Sequence, residues 1–327
     1  VFGMICLGIE STAHTLGIGL VDGKRVLANE RRLYKPKAGQ GILPRAAADR
    51  HAEVFGEALA SALAKSGVSL RDIDLHSFSR GPGIGQCLRV SCCAAKFLAS
   101  KYRKPIVGVN HCQAHLEISS GLLSMRDPLY IYVSGANTQL IVKNKRKGGP
   151  LFSVLGETLD MGLGNLFDVF AREAKFGYPH GSEVAKLAEK GSYYPLPYTV
   201  KGMNFAFAGL LTSAVRSLSS HSREDACRSL LETSFSELCE ASERALCLTG
   251  KREVIVCGGV AQNKRFCEML TMMCEPHRAR FGAVAPEFNA DNGAMIAYAG
   301  IVEYARRGAD PLRGLSPDGY WRIDQIF

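Results

Sequence analysis

The sequence predicts an α/β protein built from a duplicated lobe. Each half opens with three short meandering strands and then alternates helices with strands. In each half, the bend after the first strand is small and rich in hydroxyls: Ser11-Thr12-Ala13-His14-Thr15 in the first, Ser134-Gly135-Ala136-Asn137-Thr138 in the second. Two such lobes are expected to enclose a ligand cleft between the copies.

Taken in order, Ile5 to Glu10 and Leu16 to Val21 read as strands, and Asp22-Gly23 is a strong hairpin turn into a third, Arg25 to Arg32. A loop rich in Lys, Gly and Pro (35–44) leads to an amphipathic helix from Arg45 to Lys65, ended by Gly67. A strand near Ile73–Phe78, the turn Arg80-Gly81-Pro82-Gly83-Ile84-Gly85, a helix to about Ala99 and the strand Pro105–Val109 complete the first half. The second half runs through strands Leu129–Val133, Gln139–Lys143 and Phe152–Leu155, then a helical middle at about 165–249. Strand Glu253–Cys257, a helix from about Gln262, strand Arg280–Val284 and a helix near Asn292–Arg306 follow. The lobes are expected at 4–124 and 125–293, with a helical insertion at about 163–220 in the second. A final helix at about 294–322 is expected to pack back on the first.

The centre of the chain is Val109-Asn110-His111-Cys112-Gln113-Ala114-His115-Leu116-Glu117, a strand end running into a helix. His111 and His115 are four residues apart, so in a helix both imidazoles lie on one face, a turn apart. That spacing suits a shared metal ion, or two polar residues at a helix start. A zinc protease needs Glu directly after the first His as general base, and here the position is Cys112. Asp291, opening the segment Asp291-Asn292-Gly293, is a helix N-cap or the missing carboxylate ligand.

The two hydroxyl-and-glycine turns can aim backbone N–H groups at an anion such as a phosphate. Gly258-Gly259-Val260-Ala261-Gln262-Asn263 lies between a strand and a helix, where glycines let a ligand approach and Asn263 can read a base or ribose. A plain turn is the alternative. No Gly-x-x-x-x-Gly-Lys-Ser/Thr occurs, which excludes a P-loop.

The 327 residues carry a net charge of +9, which fits a polyanionic partner without requiring one. The densest basic run, Lys143 to Gly148, reads as a solvated hairpin tip or a phosphate contact. Eleven cysteines with no Cys-x-x-Cys pair predict reduced thiols and a cytoplasmic protein. No apolar run approaches the ~18 residues of a membrane span. Val1-Phe2-Gly3 precede a methionine, which makes Met4 the expected natural start.

Several stretches carry a resemblance when taken together: Gly8-Ile9-Glu10-Ser11-Thr12-Ala13-His14-Thr15, Phe78-Ser79-Arg80-Gly81-Pro82-Gly83 and Asn110 to His115 in the first half. In the second they are Tyr132 to Gln139, Gly156 to Asp160, Lys201 to Phe205, Gly258-Gly259-Val260 with Asn263, and Asp291 to Ala294. In this order they resemble the universal tRNA threonylcarbamoyladenosine transferase family, TsaD in bacteria and Kae in archaea and eukaryotes, the latter branch fitting best. The resemblance implies the fold shared by actin, sugar kinases and heat-shock ATPases (ASKHA), with a nucleotide cleft between lobes.

It also implies one divalent metal held by His111, His115 and Asp291, with Tyr132 reaching it directly or through a nucleotide. Iron is the first choice, zinc and magnesium the alternatives. The nucleotide, threonylcarbamoyl-AMP or an ATP/ADP analogue, is implied at Tyr132, Val133, Ser134, Gly135, Ala136, Asn137, Asp168, Gly181 and Asn263, with Gly258 and Gly259 beside it. Ser11 and Thr12 would join the second turn in holding the leaving phosphate. The family pattern differs at Ala136, where a glycine is usual, at Ala185, where a glutamate is usual and Glu183 stands near, and at Gly162, where an alanine is usual.

The implied reaction moves threonylcarbamoyl from threonylcarbamoyl-AMP to the adenosine 3′ of the anticodon in ANN-decoding tRNAs, releasing AMP. No residue stands out as general base, so positioning and metal polarisation carry the expected chemistry. Two rivals are a metal-dependent glycoprotein endopeptidase and an ATP-binding regulatory module. The expected partners are tRNA and the KEOPS subunits: a RIO-type kinase, in some archaea fused C-terminally, a small dimerising subunit and a kinase-activating subunit. No membrane partner is expected.

Overall fold

A computed structural model describes residues 3–36, 41–145, 148–176 and 180–327. It divides into two compact units, one running up to Ser124 and resuming over Pro286–Ile326, the other Met125–Ala285. Parts of the 35–44 loop and of the basic tip at 143–148 lie outside the described residues.

The first unit opens with the antiparallel meander β1 (Ile5–Glu10), β2 (Thr15–Asp22) and β3 (Arg25–Leu33). Helix α1 (Pro44–Ser66) starts with proline in its first turn and ends at Gly67, whose φ of 68° lets its N–H reach Leu63 O. Strand β4 (Leu75–Gly81) then pairs parallel to β1, helix α2 (Gly85–Tyr102) crosses over, and β5 (Ile106–Asn110) pairs parallel to β4. The sheet order is β3-β2-β1-β4-β5. Helix α3 (His111–Leu123) leaves β5 without an intervening loop. Successive strand residues point to opposite faces, and both faces are covered. Leu7, Ile9, Ile18 and Phe78 pack with Val54, Ala58 and Leu98, while Cys6, Leu75, Val107 and Val109 pack with Ala114 and Ile118.

The second unit repeats the plan. A meander of β6 (Leu129–Val133), β7 (Thr138–Lys143) and β8 (Phe152–Glu157) is followed by α4 (Leu163–Glu173) and α5 (His180–Ala188). The expected helical middle is interrupted. Residues 189–199 hold Pro195 and Pro197 and form no regular element, since a proline ring removes a backbone donor and clashes with a preceding helical turn. The two-residue strands β9 (Val200–Lys201) and β10 (Asn204–Phe205) form a small ribbon before α6 (Phe207–Ser217) and the long α7 (Arg223–Thr249).

Strand β11 (Glu253–Cys257) pairs parallel to β6. A 3-10 turn, Gly259–Gln262, precedes α8 (Lys264–Cys274), and β12 (Arg280–Ala283) closes the sheet. Its order, β12-β11-β6-β7-β8, matches that of the first unit strand for strand. The rings of Phe167, Phe235 and Phe266 knit α4, α7 and α8, with Phe235 stacked on Phe266 at 4.6 Å.

The chain returns to the first unit with α9 (Pro286–Asn289) and α10 (Gly293–Arg307). Helix α10 lies directly on β1 and β2 because glycines remove the side chains between them. A Cβ on Gly293 would stand 2.1 Å from Gly19 N, and one on Gly19 would stand 2.1 Å from Ala294 N. The helix stops at Arg307, short of the 322 expected, at Gly308 with φ of 79°. Beyond it the chain runs as an extended tail with a 3-10 turn at Ile323–Gln325. All eleven cysteines are free thiols. Among the described residues no helix is long and apolar enough to cross a membrane.

Candidate functional site

The start of α3 carries the densest chemistry of the first unit. Asn110 caps the helix by accepting from Gln113 N, so the next residue, His111, begins helical geometry immediately. One turn on, His115 shares its face, and the two rings stand edge to face with centroids 4.9 Å apart. Asp291 joins them from the segment before α10, its Oδ1 lying 3.5 Å from His111 Nε2 and 3.3 Å from His115 Nε2. The three ligand atoms fall within 4.8 Å of one another. The alternative reading of Asp291 as a helix cap is answered by its neighbour. Asn292 caps α10 through Met295 N, which leaves the Asp291 carboxylate to the histidines.

Glu10, at the end of β1 and fully buried, organises the far side of His111. Its Oε2 lies 3.0 Å from His111 Nδ1, while its Oε1 accepts from Thr12 N at 2.6 Å and from Thr12 Oγ1 at 2.5 Å. With Nδ1–H donated to Glu10, His111 turns its Nε2 toward His115 and Asp291. Burial disfavours a charged His111, but the carboxylates of Glu10 and Asp291 outweigh it and raise its pKa to about 9. Burial pushes His115 the other way, aided by the nearby His111 charge. Burial also opposes a charged Asp291, yet the two imidazoles hold its carboxyl well below the usual range. A proton on His111 thus balances the buried Glu10 carboxylate and the partly exposed Asp291 carboxylate. A divalent cation fits the same role, and two imidazole nitrogens with one carboxylate oxygen are a coherent donor set for it.

The first hydroxyl turn is directed inward. Ser11 N donates to Ser79 Oγ and Ser11 Oγ to Cys87 O, while both donors of Thr12 go to Glu10. These groups brace β1, β4 and α2 and hold the Glu10 carboxylate. They leave no hydroxyl of this pair aimed at a ligand.

The second turn, in the other unit, is open. Ser134 N and Oγ bond within the turn to Asn137, whereas the exposed Gly135 and Ala136 carry amides with no hydrogen bond among the described residues. Ala136 sits outside the left-handed region, so its methyl imposes no backbone strain. Helix α4 starts tight beneath this turn. A Cβ on Gly162 would meet Gly135 O at 2.5 Å, and Gly164 N donates to Ser134 O. Tyr132 and Val133 end β6, both buried.

Gly258, with φ of 99°, passes so close to β6 that a Cβ would stand 2.3 Å from Val133 O. Gly259 is exposed beside it. Asn263 spends its side-chain oxygen capping α8 through Phe266 N. Asp168 and Gly181, 13 residues apart, are brought together by Gly181 N donating to Asp168 Oδ1 at 3.1 Å. Ala185, on α5, packs against the hydrophobic core of the second unit, and Glu183 lies 3.9 Å from Lys186 across one turn.

Glu10 is the functional residue that spacing alone does not reveal. Its available signal is an acid at the end of an otherwise apolar strand, a position where burial demands a partner.

Comparison with known proteins then bears on identity. Residues 25–298 match the family model described as tRNA N6-adenosine threonylcarbamoyltransferase (TsaD). The tRNA N6-adenosine threonylcarbamoyltransferase of Thermococcus kodakarensis is 49% identical over 304 residues, covering 92% of each chain. A probable bifunctional tRNA threonylcarbamoyladenosine biosynthesis protein of Methanothermobacter thermautotrophicus is 46% identical over 326 residues, 99% of this chain and 60% of that one. Among solved structures, the ROK hexokinase of Thermus thermophilus superposes with a TM-score of 0.51 at 16% identity, covering 92% of this chain and 99% of that one. This last likeness shows a fold of the sugar-kinase class.

Proposed function

Since the chain belongs to the tRNA N6-adenosine threonylcarbamoyltransferase (TsaD) family, we propose that it transfers threonylcarbamoyl from threonylcarbamoyl-AMP to the adenosine 3′ of the anticodon in ANN-decoding tRNAs. In this reaction the N6 amine attacks the carbamoyl carbonyl, a C–N bond forms, the bond from that carbon to the phosphate oxygen breaks, and AMP leaves with the amine having lost a proton. The observation that carries the reading is the cluster of buried His111 and His115 with the partly exposed Asp291, Glu10 standing behind it.

An ion held there supplies Lewis-acid polarisation of a carbonyl or phosphate oxygen. Two histidines and one carboxylate suit iron(II) or zinc better than magnesium, which prefers oxygen ligands. Glu10 holds His111 in the ligating tautomer. In the second unit, the free amides of Gly135 and Ala136 are the groups suited to a phosphate. The Asp168–Gly181 pair, Gly258, Gly259 and the Asn263 amide are assigned to the nucleoside part of the substrate.

Cys112, at the position where a zinc protease needs Glu, is 3% exposed, which argues against the peptidase alternative. The tRNA substrate follows from the family and suits the +9 charge. A kinase-containing complex is the expected setting, supported by relatives named as bifunctional, and the cytoplasm is the expected compartment.

The test is transfer of label from threonylcarbamoyl-AMP to tRNA in the presence of the partner subunits, comparing wild type with the His111→Ala/His115→Ala double variant. Label entering tRNA with wild type alone is expected. Equal transfer by both would remove the metal pair from the mechanism. Tight ATP binding with no transfer by either would favour a regulatory module.

A further inference from the structure

After α10 the chain folds back across the β4–α2 turn of its own unit. Arg80 Nε donates to Ser316 O, Asp318 N to Arg80 O, Gly83 N to Gly319 O, and Asn110 Nδ2 to Trp321 O. The same turn reaches the metal ligands, because Ile84 N donates to Thr12 O and Thr12 Oγ1 lies 3.3 Å from His111 Nδ1. The tail is thus tied to the residue before His111 through Asn110, and to His111 Nδ1 through Gly83, Ile84 and Thr12.

Two aromatic side chains stand on this tail. The guanidinium of Arg80 covers the Trp321 ring at 5.1 Å. Tyr320 is 93% exposed. The backbone bonds above already pin the tail, so Tyr320 contributes almost nothing to packing while holding a flat ring in water. The terminal nitrogens of Arg80 have no hydrogen bond among the described residues, since only Nε is engaged. The Asp318 carboxylate accepts from Tyr320 N and keeps its negative charge, whereas Asp324 is paired with Arg322.

An isolated exposed ring next to a stacked guanidinium with unused donors is the chemistry that receives an unpaired base and its phosphate. A protein hot spot would instead sit within a wider apolar surround, and beyond Trp321 the residues flanking Tyr320 are Asp318, Gly319 and Arg322.

We infer that Tyr320, with Arg80 and Trp321, is a platform for single-stranded RNA on the first unit. Tyr320 stacks on an unpaired base of the anticodon loop and Arg80 contacts the neighbouring phosphate. The inference rests on the transferase reading and names where the first unit grips the RNA.

Trp321 is the sole tryptophan, so its emission reports on this surface directly. The experiment titrates the protein, alone and with its partner subunits, with an unmodified anticodon stem-loop RNA and with a fully paired duplex of the same length. Wild type, Tyr320→Ala, Tyr320→Phe and Arg80→Gln are compared, and the kcat and KM for full tRNA are measured alongside.

Expected results are a change of Trp321 emission on adding the stem-loop, roughly tenfold weaker binding and higher KM for Tyr320→Ala, and near wild-type values for Tyr320→Phe. Duplex binding should not change, and Arg80→Gln should lower the salt slope by about 1. Wild-type affinity in Tyr320→Ala, or failure of Phe to rescue it, overturns the platform while wild-type transfer keeps the function standing. Loss of a partner subunit from Tyr320→Ala with unchanged RNA affinity makes the patch a protein contact and also overturns it. A wild type that neither binds the stem-loop nor transfers label removes both.

Discussion

Glu10 Oε2 stands 3.0 Å from His111 Nδ1, so a buried acid at the end of β1 sets the tautomer of an imidazole that begins α3, 101 residues away. Partners of this kind typically contribute roughly 10–100-fold to metal affinity. Glu10→Gln is expected to weaken iron or zinc binding by about that factor while circular dichroism stays native. Competition against a chromogenic chelator measures it. An unchanged affinity would reduce Glu10 to a strap for Thr12.

Metal uptake should depend on pH through His111, whose pKa in the metal-free protein is about 9 against an ordinary 6.5. Below 6.5 its proton stabilises the folded metal-free protein fully, and that contribution is lost as pH rises through about 9. An entering cation must displace the same proton. Affinity is therefore expected to climb about tenfold per pH unit between about pH 7 and 9, with about one proton released per ion. Calorimetry in buffers of different ionisation enthalpy counts that proton, and zero released would contradict the assignment.

His76 offers the opposite sign. It is fully buried on β4, and neither ring nitrogen has a hydrogen-bond partner among the described residues. Burial, with the Lys104 charge, pushes its pKa down to about 4. The unfolded chain takes up a proton below 6.5 that the folded state refuses until about 4. Stability is thus complete above 6.5 and falls across that window, by at most about 3 kcal/mol. Denaturant unfolding at successive pH values should show this slope, and His76→Leu should flatten it. A variant with the wild-type slope would place the acid sensitivity elsewhere.

The contact of α10 with the meander predicts two opposite glycine outcomes. Gly293→Ala puts a methyl 2.1 Å from Gly19 N, backbone that cannot yield cheaply, so a loss of at least ~3 kcal/mol or insoluble protein is expected. At Gly56, inside α1, an added methyl would meet nothing within 4 Å. There Ala should stabilise by up to ~1 kcal/mol through backbone entropy and helix propensity. Thermal unfolding separates the two, and a neutral Gly293→Ala would mean that α10 can lift off the sheet.

The duplicated meander, the strand-to-helix step at Asn110 and the shared face of His111 and His115 are legible in the amino-acid order, because short-range periodicity, turn chemistry and capping act over a few residues. The family motifs added Asp291 to the pair. That Asn292, and not Asp291, caps α10, that Ser11 and Thr12 turn inward, and that Glu10 stands behind His111 became visible in the folded chain. It alone showed that α10 ends at Arg307 and that the tail returns over Arg80. Several of these depend on contacts between residues far apart in the chain, such as the 101 positions between Glu10 and His111 and the 236 between Arg80 and Ser316, and those form only once the sheet has brought its strand ends and helix starts together.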